Sequence, residues 1–270
     1  MSFPRIVALD MDGTLVDPDG NIPDEFWPLL GRAQDAGMII APTSGRQLAT
    51  LQTMFDGRGL ETFIAENGAV VWHRGEIVST KPMSLDTVTS ILDAVRETDA
   101  AIHPVVCMPE YAYVAEAMPQ WVQEETDKYY VSQRAVGSLI DAARTDSNPT
   151  TKVSLFVESN AEDDGVPLIE KAAPGVNAAV SSEHWLDIMS DDANKGAALT
   201  SLAESLDVDI ADTAAIGDYL NDTSMLEAAG TAVAMGNAHS DLKAIADEIT
   251  GTNAEHGALN AIRRWLEAND

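Results

Sequence analysis

Arg5-Ile6-Val7-Ala8-Leu9-Asp10-Met11-Asp12-Gly13-Thr14-Leu15 is the stretch on which the reading of this chain turns. Arg5 to Asp10 is a short apolar run of strand length, and it ends in an acid-rich turn. In extended chain, residues two apart point to the same side. Asp10 and Asp12 therefore bring two carboxylates into one small space beside Gly13, which permits a sharp turn. Two close carboxylates repel, and one pKa rises unless a cation sits between them. Mg2+, a hard ion that takes oxygen ligands, suits such a place. A carboxylate can also attack phosphorus, and a neighbouring carboxyl can protonate a leaving alcohol and then activate water. A single Asp here would read as a capping turn; the whole run does not.

Outward from this stretch the same grammar repeats. Ile22 to Ala36 is amphipathic at helical spacing, with Pro23 near its start and Gly37 after its end. Met38 to Pro42 is a second apolar run, ending at Thr43-Ser44-Gly45-Arg46, and a helix is expected from Gln47 to Phe55. Phe63 to Ala65 is a third, ending at Glu66-Asn67-Gly68. In the last third, Lys195 to Ser205 reads as a helix, Asp212 to Ile216 as a strand running into Gly217-Asp218, and Asp222 to Ala229 as a helix stopped by Gly230. Thr231 to Met235 then reads as a strand and Ser240 to Ala246 as a helix. Strand, turn and helix in repetition imply a parallel sheet covered on both faces.

The middle differs. Longer alternating strands are expected at Tyr111 to Glu116, Tyr129 to Gln133 and Lys152 to Glu158, with helices near Leu85 to Glu97 and Pro119 to Glu125. This reads as an α+β insert in an α/β host. Residues 1–82 and 187–270 form the host and 83–186 the insert, with hinges near Lys81 to Ser84 and His184 to Ser190.

The polar clusters follow apolar strands, and in open parallel sheets ligands bind just outside the carboxyl ends of the strands. One site can thus gather clusters from opposite ends of the chain. Ser44, with free backbone N–H groups before a helix, makes an anion site, although a Ser there is more often an N-cap. Lys195 stands at a helix start, the wrong dipole end for a cation, and an anionic partner such as a phosphate or Asp10 would explain it. Gly217-Asp218-Tyr219-Leu220-Asn221-Asp222 sets two carboxylates and an amide ahead of a helix, where capping by Asn221 or Asp222 is the plainer reading.

The charge balance narrows the partners. Sixteen Lys plus Arg face 44 Asp plus Glu, a net charge of −28. Such a surface repels nucleic-acid backbones and anionic membranes. Six of the cations are Lys and the acids are spread along the chain, a pattern that suits high salt, where self-repulsion is screened. No apolar run reaches the roughly 18 residues of a membrane helix. The N-terminal residues carry no secretory pattern, so a cytoplasmic enzyme is expected. The single cysteine, Cys107, reads as a buried small hydrophobe.

Asp10-x-Asp12-Gly13-Thr14, Ser44-Gly45-Arg46, Lys195 and Gly217-Asp218-x-x-Asn221-Asp222 occur in the order of the four motifs of haloacid dehalogenase-like (HAD) hydrolases, which the chain resembles. More narrowly it is similar to the Cof-type, or class IIB sugar phosphatase, subfamily. The supporting matches are Glu66-Asn67-Gly68-Ala69, Asn194-Lys195-Gly196, Val233-Ala234-Met235-Gly236-Asn237-Ala238, Asn253 and His256-Gly257. The resemblance implies an α/β fold: a Rossmann-like doubly wound parallel sheet with an inserted α+β cap of type C2B.

It also implies a Mg2+-dependent phosphatase acting on a small phosphorylated metabolite, such as a sugar phosphate or a phosphoglycolate-like compound. Asp10 would be the nucleophile and a metal ligand, and Asp12 the general acid/base with its backbone carbonyl on the metal. Ser44, with Gly45, Arg46, Asn67 and Asn221, would bind the phosphoryl group. Lys195 would neutralise charge, and Asp218 and Asp222 would complete the metal site. Tyr219 and His256 depart from the commonest pattern, where relatives carry a small residue and an acid.

Asp12 separates this chain from ATPases that carry Thr there and from dehalogenases that lack a second Asp. Phosphomannomutase-like transfer is the alternative activity. It needs a second phosphate site in the cap, where the cations are few: Arg96, Lys128, Arg134, Arg144, Lys152 and Lys171. Substrate choice is expected from cap residues such as Lys128, Tyr129, Tyr130, Arg134 and Lys152. A monomer or small homo-oligomer is expected.

Overall fold

The computed structural model describes residues 3–269. In chain order its strands are Ile6–Asp10 (β1), Ile39–Thr43 (β2), Thr62–Ala65 (β3), Val70–His73 (β4), Glu76–Thr80 (β5), Ile102–Cys107 (β6) and Ala112–Ala115 (β7). They continue with Gln133–Val136 (β8), Lys152–Val157 (β9), Asn177–Val180 (β10), Trp185–Met189 (β11), Thr213–Gly217 (β12), Thr231–Ala234 (β13) and Glu248–Ile249 (β14). By its internal contacts the chain divides into two compact units.

The first unit comprises the segment ending at Ser44, Phe55–Ser79, and the segment from Asn194. It is built on a sheet of order β14-β13-β12-β1-β2-β3-β4-β5. β1 pairs in parallel with both β2 and β12, and β12–β13, β13–β14 and β2–β3 are also parallel. β3 and β4 form an antiparallel hairpin. The central strands β1, β12 and β13 are buried along their whole length, as unbroken apolar runs in a sheet covered on both faces should be. The chain winds from β1 to β2 and β3, then returns on the other side of β1 through β12 and β13. That reversal opens a crevice at the carboxyl ends of β1 and β12.

The helix expected over residues 22–36 begins later, at Phe26, because Pro23 sets a turn in which Phe26 N donates to Pro23 O at 2.9 Å. Its buried face is Phe26, Leu29, Leu30 and Ala33, and Gly37 closes it with φ +83°.

The second unit comprises Gly45–Met54 and Thr80–Ala193. Its sheet has the order β10-β11-β9-β6-β7-β8, antiparallel except for β7–β8. One apolar cluster gathers Val88, Ile91 and Leu92 of the helix Leu85–Glu97 with Val106, Val153, Leu155 and Ile188 of the sheet. A second gathers Val105, Cys107, Phe156, Tyr130 and Trp185.

Three expectations are corrected here. Tyr129 to Gln133 is not a strand: Tyr129 N and Tyr130 N both donate to Thr126 O at the end of the helix Gln120–Thr126, and the strand begins at Gln133. The aromatic pair suggested β structure, but Tyr130 is packed against Trp185 at a centroid distance of 5.9 Å. Residues 187–193 group with the second unit, because β11 pairs with β9 and β10. The segment Gly45–Met54 also belongs there. Gln47 exchanges two hydrogen bonds with the Ser132 backbone at 3.0 and 3.1 Å, and Thr50 Oγ1 donates to Tyr129 O at 2.8 Å. Among the described residues no helix is long and apolar enough to cross a membrane.

Candidate active site

Asp10 is the last residue of β1, and Asp218 follows the last residue of β12. Because β1 and β12 pair in parallel register, Leu9 opposite Ile216, the two carboxylates emerge at one rim of the sheet. Lys195, the first residue of the helix Lys195–Ser205, enters the same place. Its Nζ donates to Asp10 Oδ1 at 2.6 Å and to Asp222 Oδ1 at 2.5 Å, with the side chain only 1% exposed. The anionic partners thus account for a cation at a helix start. Carboxylate oxygens of Asp10, Asp218 and Asp222 all lie within 4.8 Å of one another.

Asp222 uses both oxygens. While Oδ1 holds Lys195, Oδ2 accepts from Asp218 N at 2.9 Å and Tyr219 N at 3.2 Å. It therefore caps its own turn and fixes the direction in which Asp218 leaves the strand. Gly217 must be glycine, since a Cβ there would strike the Asp222 carboxylate; a Cβ on Gly13 would strike that of Asp218. Thr14, quoted in the first motif but not singled out as a site residue, donates its hydroxyl to Asp218 Oδ1 at 3.1 Å. Its place four residues after Asp10 was the available signal.

The electrostatics are unbalanced. Burial lifts the Asp10 carboxyl well above the usual range, and the Asp222 charge adds to this while Lys195 opposes it. Asp218 is pushed up to about 6, by burial first and by Asp222 second, with the Thr14 hydroxyl pulling it back. Burial works against the Lys195 charge, yet Asp10 and Asp222 outweigh it and its pKa ends above the ordinary lysine value. Three carboxylates and one ammonium leave two negative charges, which a divalent cation would balance. The donors are hard oxygens, so the residues fit Mg2+.

The remaining expected residues lie as follows. Asp12 is exposed on the turn after β1, and its residue bridges to Val16. Ser44 is buried just beyond β2, its N donating to Ile64 O and its O accepting from Asn67 N at 3.0 Å. Asn67 is buried in a turn where Glu66, Asn67 and Gly68 all take positive φ. Gly68 packs so closely on Asn194 O that no side chain fits, which keeps this turn beside Lys195. Asn221 is exposed. Gly45 and Arg46 fall in the second unit.

Four of the expected specificity residues are already engaged inside the second unit. Lys152 is buried, donating to Gly45 O at 3.0 Å, and Tyr130 is buried beside it. Arg134 lies over the Tyr111 ring at 3.3 Å, and Lys128 pairs with Glu125.

A buried ammonium and a carboxylate cluster stand at the switch point of a doubly wound sheet, the place where such folds bind their ligands. The model of the haloacid dehalogenase-like hydrolase family matches residues 7–262, and the chain belongs to that family. It is 29% identical to phosphatase YwpJ of Bacillus subtilis over 97% of this chain and all of that protein. It is 28% identical to pyridoxal phosphate phosphatase YbhA of Escherichia coli, over 92% of this chain and 94% of that one. The solved HAD subclass IIB sugar phosphatase BT4131 shares its fold, with a TM-score of 0.79 at 20% identity over 96% and 98% of the two chains. The chain is a phosphatase of this family, of the Cof type.

Proposed function

We propose that this protein is a Mg2+-dependent phosphatase that hydrolyses a small phosphorylated metabolite, a sugar phosphate or phosphoglycolate-like compound, through an aspartyl-phosphate on Asp10. The observation that carries this is Lys195 Nζ held between Asp10 and Asp222 with Asp218 in the same cluster, a site with more negative charge than its one cation balances.

Asp10 Oδ1 accepts from Lys195, so Oδ2 is the atom that would attack phosphorus. The Oδ2–P bond forms as the bond from phosphorus to the leaving oxygen breaks, and Asp12 gives that oxygen its proton. Asp12 then takes a proton from a water that attacks phosphorus, releasing inorganic phosphate and restoring the Asp10 carboxylate. Ser44, Gly45, Arg46, Asn67 and Asn221 would hold the phosphoryl oxygens. Asp10, the Asp12 carbonyl and Asp218 would hold the metal. Asp222 would support them, since both its oxygens already hold Lys195 and the Asp218 turn. Bound there, Mg2+ would withdraw charge from the phosphoryl group and fix it beside the nucleophile. The second unit is read as the cap that sets substrate choice, and the acidic surface as an adaptation to salt.

The test is turnover of p-nitrophenyl phosphate with and without Mg2+, in wild type and in Asp10→Asn. Turnover that needs the metal and vanishes in the variant is expected. Activity surviving in Asp10→Asn, or in excess chelator, would reject the mechanism.

A further inference from the structure

The turn that carries Asp12 is anchored by its own chain: Met11, Thr14 and Leu15 are buried, and Val16 N donates to Met11 O at 2.8 Å. Asp12 itself is exposed at the tip, beside Gly13 with φ +82°. Yet an acid that serves a leaving oxygen must be held within a fraction of an ångström.

Two asparagines from distant loops supply that restraint. Asn237, three residues past β13, donates Nδ2 to Gly13 O at 2.9 Å. Asn253, in the turn after β14, donates Nδ2 to Val16 O at 3.0 Å. The two are linked, because Asn253 N donates to Asn237 Oδ1 at 2.9 Å. The amide orientations follow from the partners. Each Nδ2 faces a backbone carbonyl, Asn237 Oδ1 faces a backbone N–H, and flipping either amide would set oxygen against oxygen. The loop from Gly13 to Val16 is thereby fastened at both ends, with Thr14 tied to Asp218 between them.

We infer that Asn237 and Asn253 are positioning residues that hold the Asp12 loop for proton transfer to the leaving oxygen. This rests on the reading of Asp12 as the acid/base. The hydrogen bonds of the two asparagine side chains go to backbone groups. Asn237 is exposed and outside the core, so its loss leaves the fold intact.

Phenyl phosphate and p-nitrophenyl phosphate differ chiefly in how much the leaving oxygen needs a proton, and kcat/KM reports the steps up to its departure. Asn237→Asp still accepts from Asn253 N but can no longer donate to Gly13 O; Asn253→Ala removes the other tie. At saturating Mg2+, each variant should lose about 10-fold or more in kcat/KM on phenyl phosphate beyond its loss on p-nitrophenyl phosphate, the low end of what a placed acid contributes. Thermal unfolding midpoints should match wild type. Asp12→Asn is the benchmark and should show the same selectivity, more strongly. An equal loss on both esters, or a lowered midpoint without selectivity, would overturn the inference while Asp12→Asn keeps its selectivity. Absence of selectivity in Asp12→Asn would overturn the role of Asp12, and the positioning role with it.

Discussion

Each unit of this protein buries a lysine almost completely, and the two differ in their company. Lys195 sits between Asp10 and Asp222, with Asp218 in the same cluster. Lys152, on β9, has Asp187 Oδ1 at 3.4 Å and the Gly45 carbonyl at 3.0 Å, and Ser154 Oγ bonds the same Asp187 oxygen. In the second unit Lys152 faces the Asp187 carboxylate, with a carbonyl and a hydroxyl beside the pair. In the first, one cation meets three anions. A buried charge must be paired, but pairing alone says little about function. The negative charge in excess of the cation is what marks the Asp10 cluster as a site that needs a ligand.

That contrast can be broken in several ways. Lys195→Met should have the largest effect, lowering kcat for p-nitrophenyl phosphate by about 10²- to 10³-fold, as loss of one charge-stabilising donor does elsewhere; a loss below tenfold would remove Lys195 from the chemistry. Next is Lys152→Met, which leaves the Asp187 carboxylate buried and should destabilise by about 3–5 kcal/mol in denaturant unfolding. Millimolar Mg2+ should recover stability in the Lys195 variant, whose carboxylates can share the ion, and not in the Lys152 variant. Recovery of both would mean that the two environments are alike.

A smaller effect concerns pH. Asp218 in the folded protein lies at about 6, above the unfolded value of about 4. Without metal, the folded state holds a proton that the unfolded chain has lost between those pH values, so stability from this group falls as pH rises through the window. Metal-free Asp218→Asn should therefore be more stable than wild type at pH 7, with the gap closing toward pH 4. Unfolding in chelator at both pH values checks this, and an unchanged gap would uncouple Asp218 from the imbalance. The smallest effect belongs to the exposed pair Arg74–Glu61, at 71% and 59% side-chain exposure. Glu61→Gln should change unfolding free energy by less than about 0.5 kcal/mol.

Legibility in the sequence followed the same division. β1, β2 and β12 are unbroken apolar runs ending in polar turns, and the helices Leu85–Glu97 and Lys195–Ser205 carry their own N-caps, Ser84 and Asn194. Local chemistry marks all of these. The carboxylate cluster was legible because its members follow strands, and parallel pairing aligns strand ends. β6 was missed because Pro104 argues against a central strand. The structure tolerates it because β7 pairs only with Val106 and Cys107, leaving Pro104 beyond that ladder. The hairpin of β4 and β5 and the last helix, Gly257–Asn269, also escaped reading. So did the roles of Lys152 and Tyr130, because burial of a lysine depends on partners far away in the chain. The tie between Asn237 and Gly13 spans 224 residues and leaves no local trace.

The chain passes between the two units at Ser44–Gly45, Met54–Phe55, Ser79–Thr80 and Ala193–Asn194. Excision of residues 80–193 would therefore not release an intact first unit. It would strip Gln47 and Thr50 of their backbone partners and leave an orphaned helix directly after Ser44. A graft of this second unit onto a related enzyme would need to carry both segments, joined at four points.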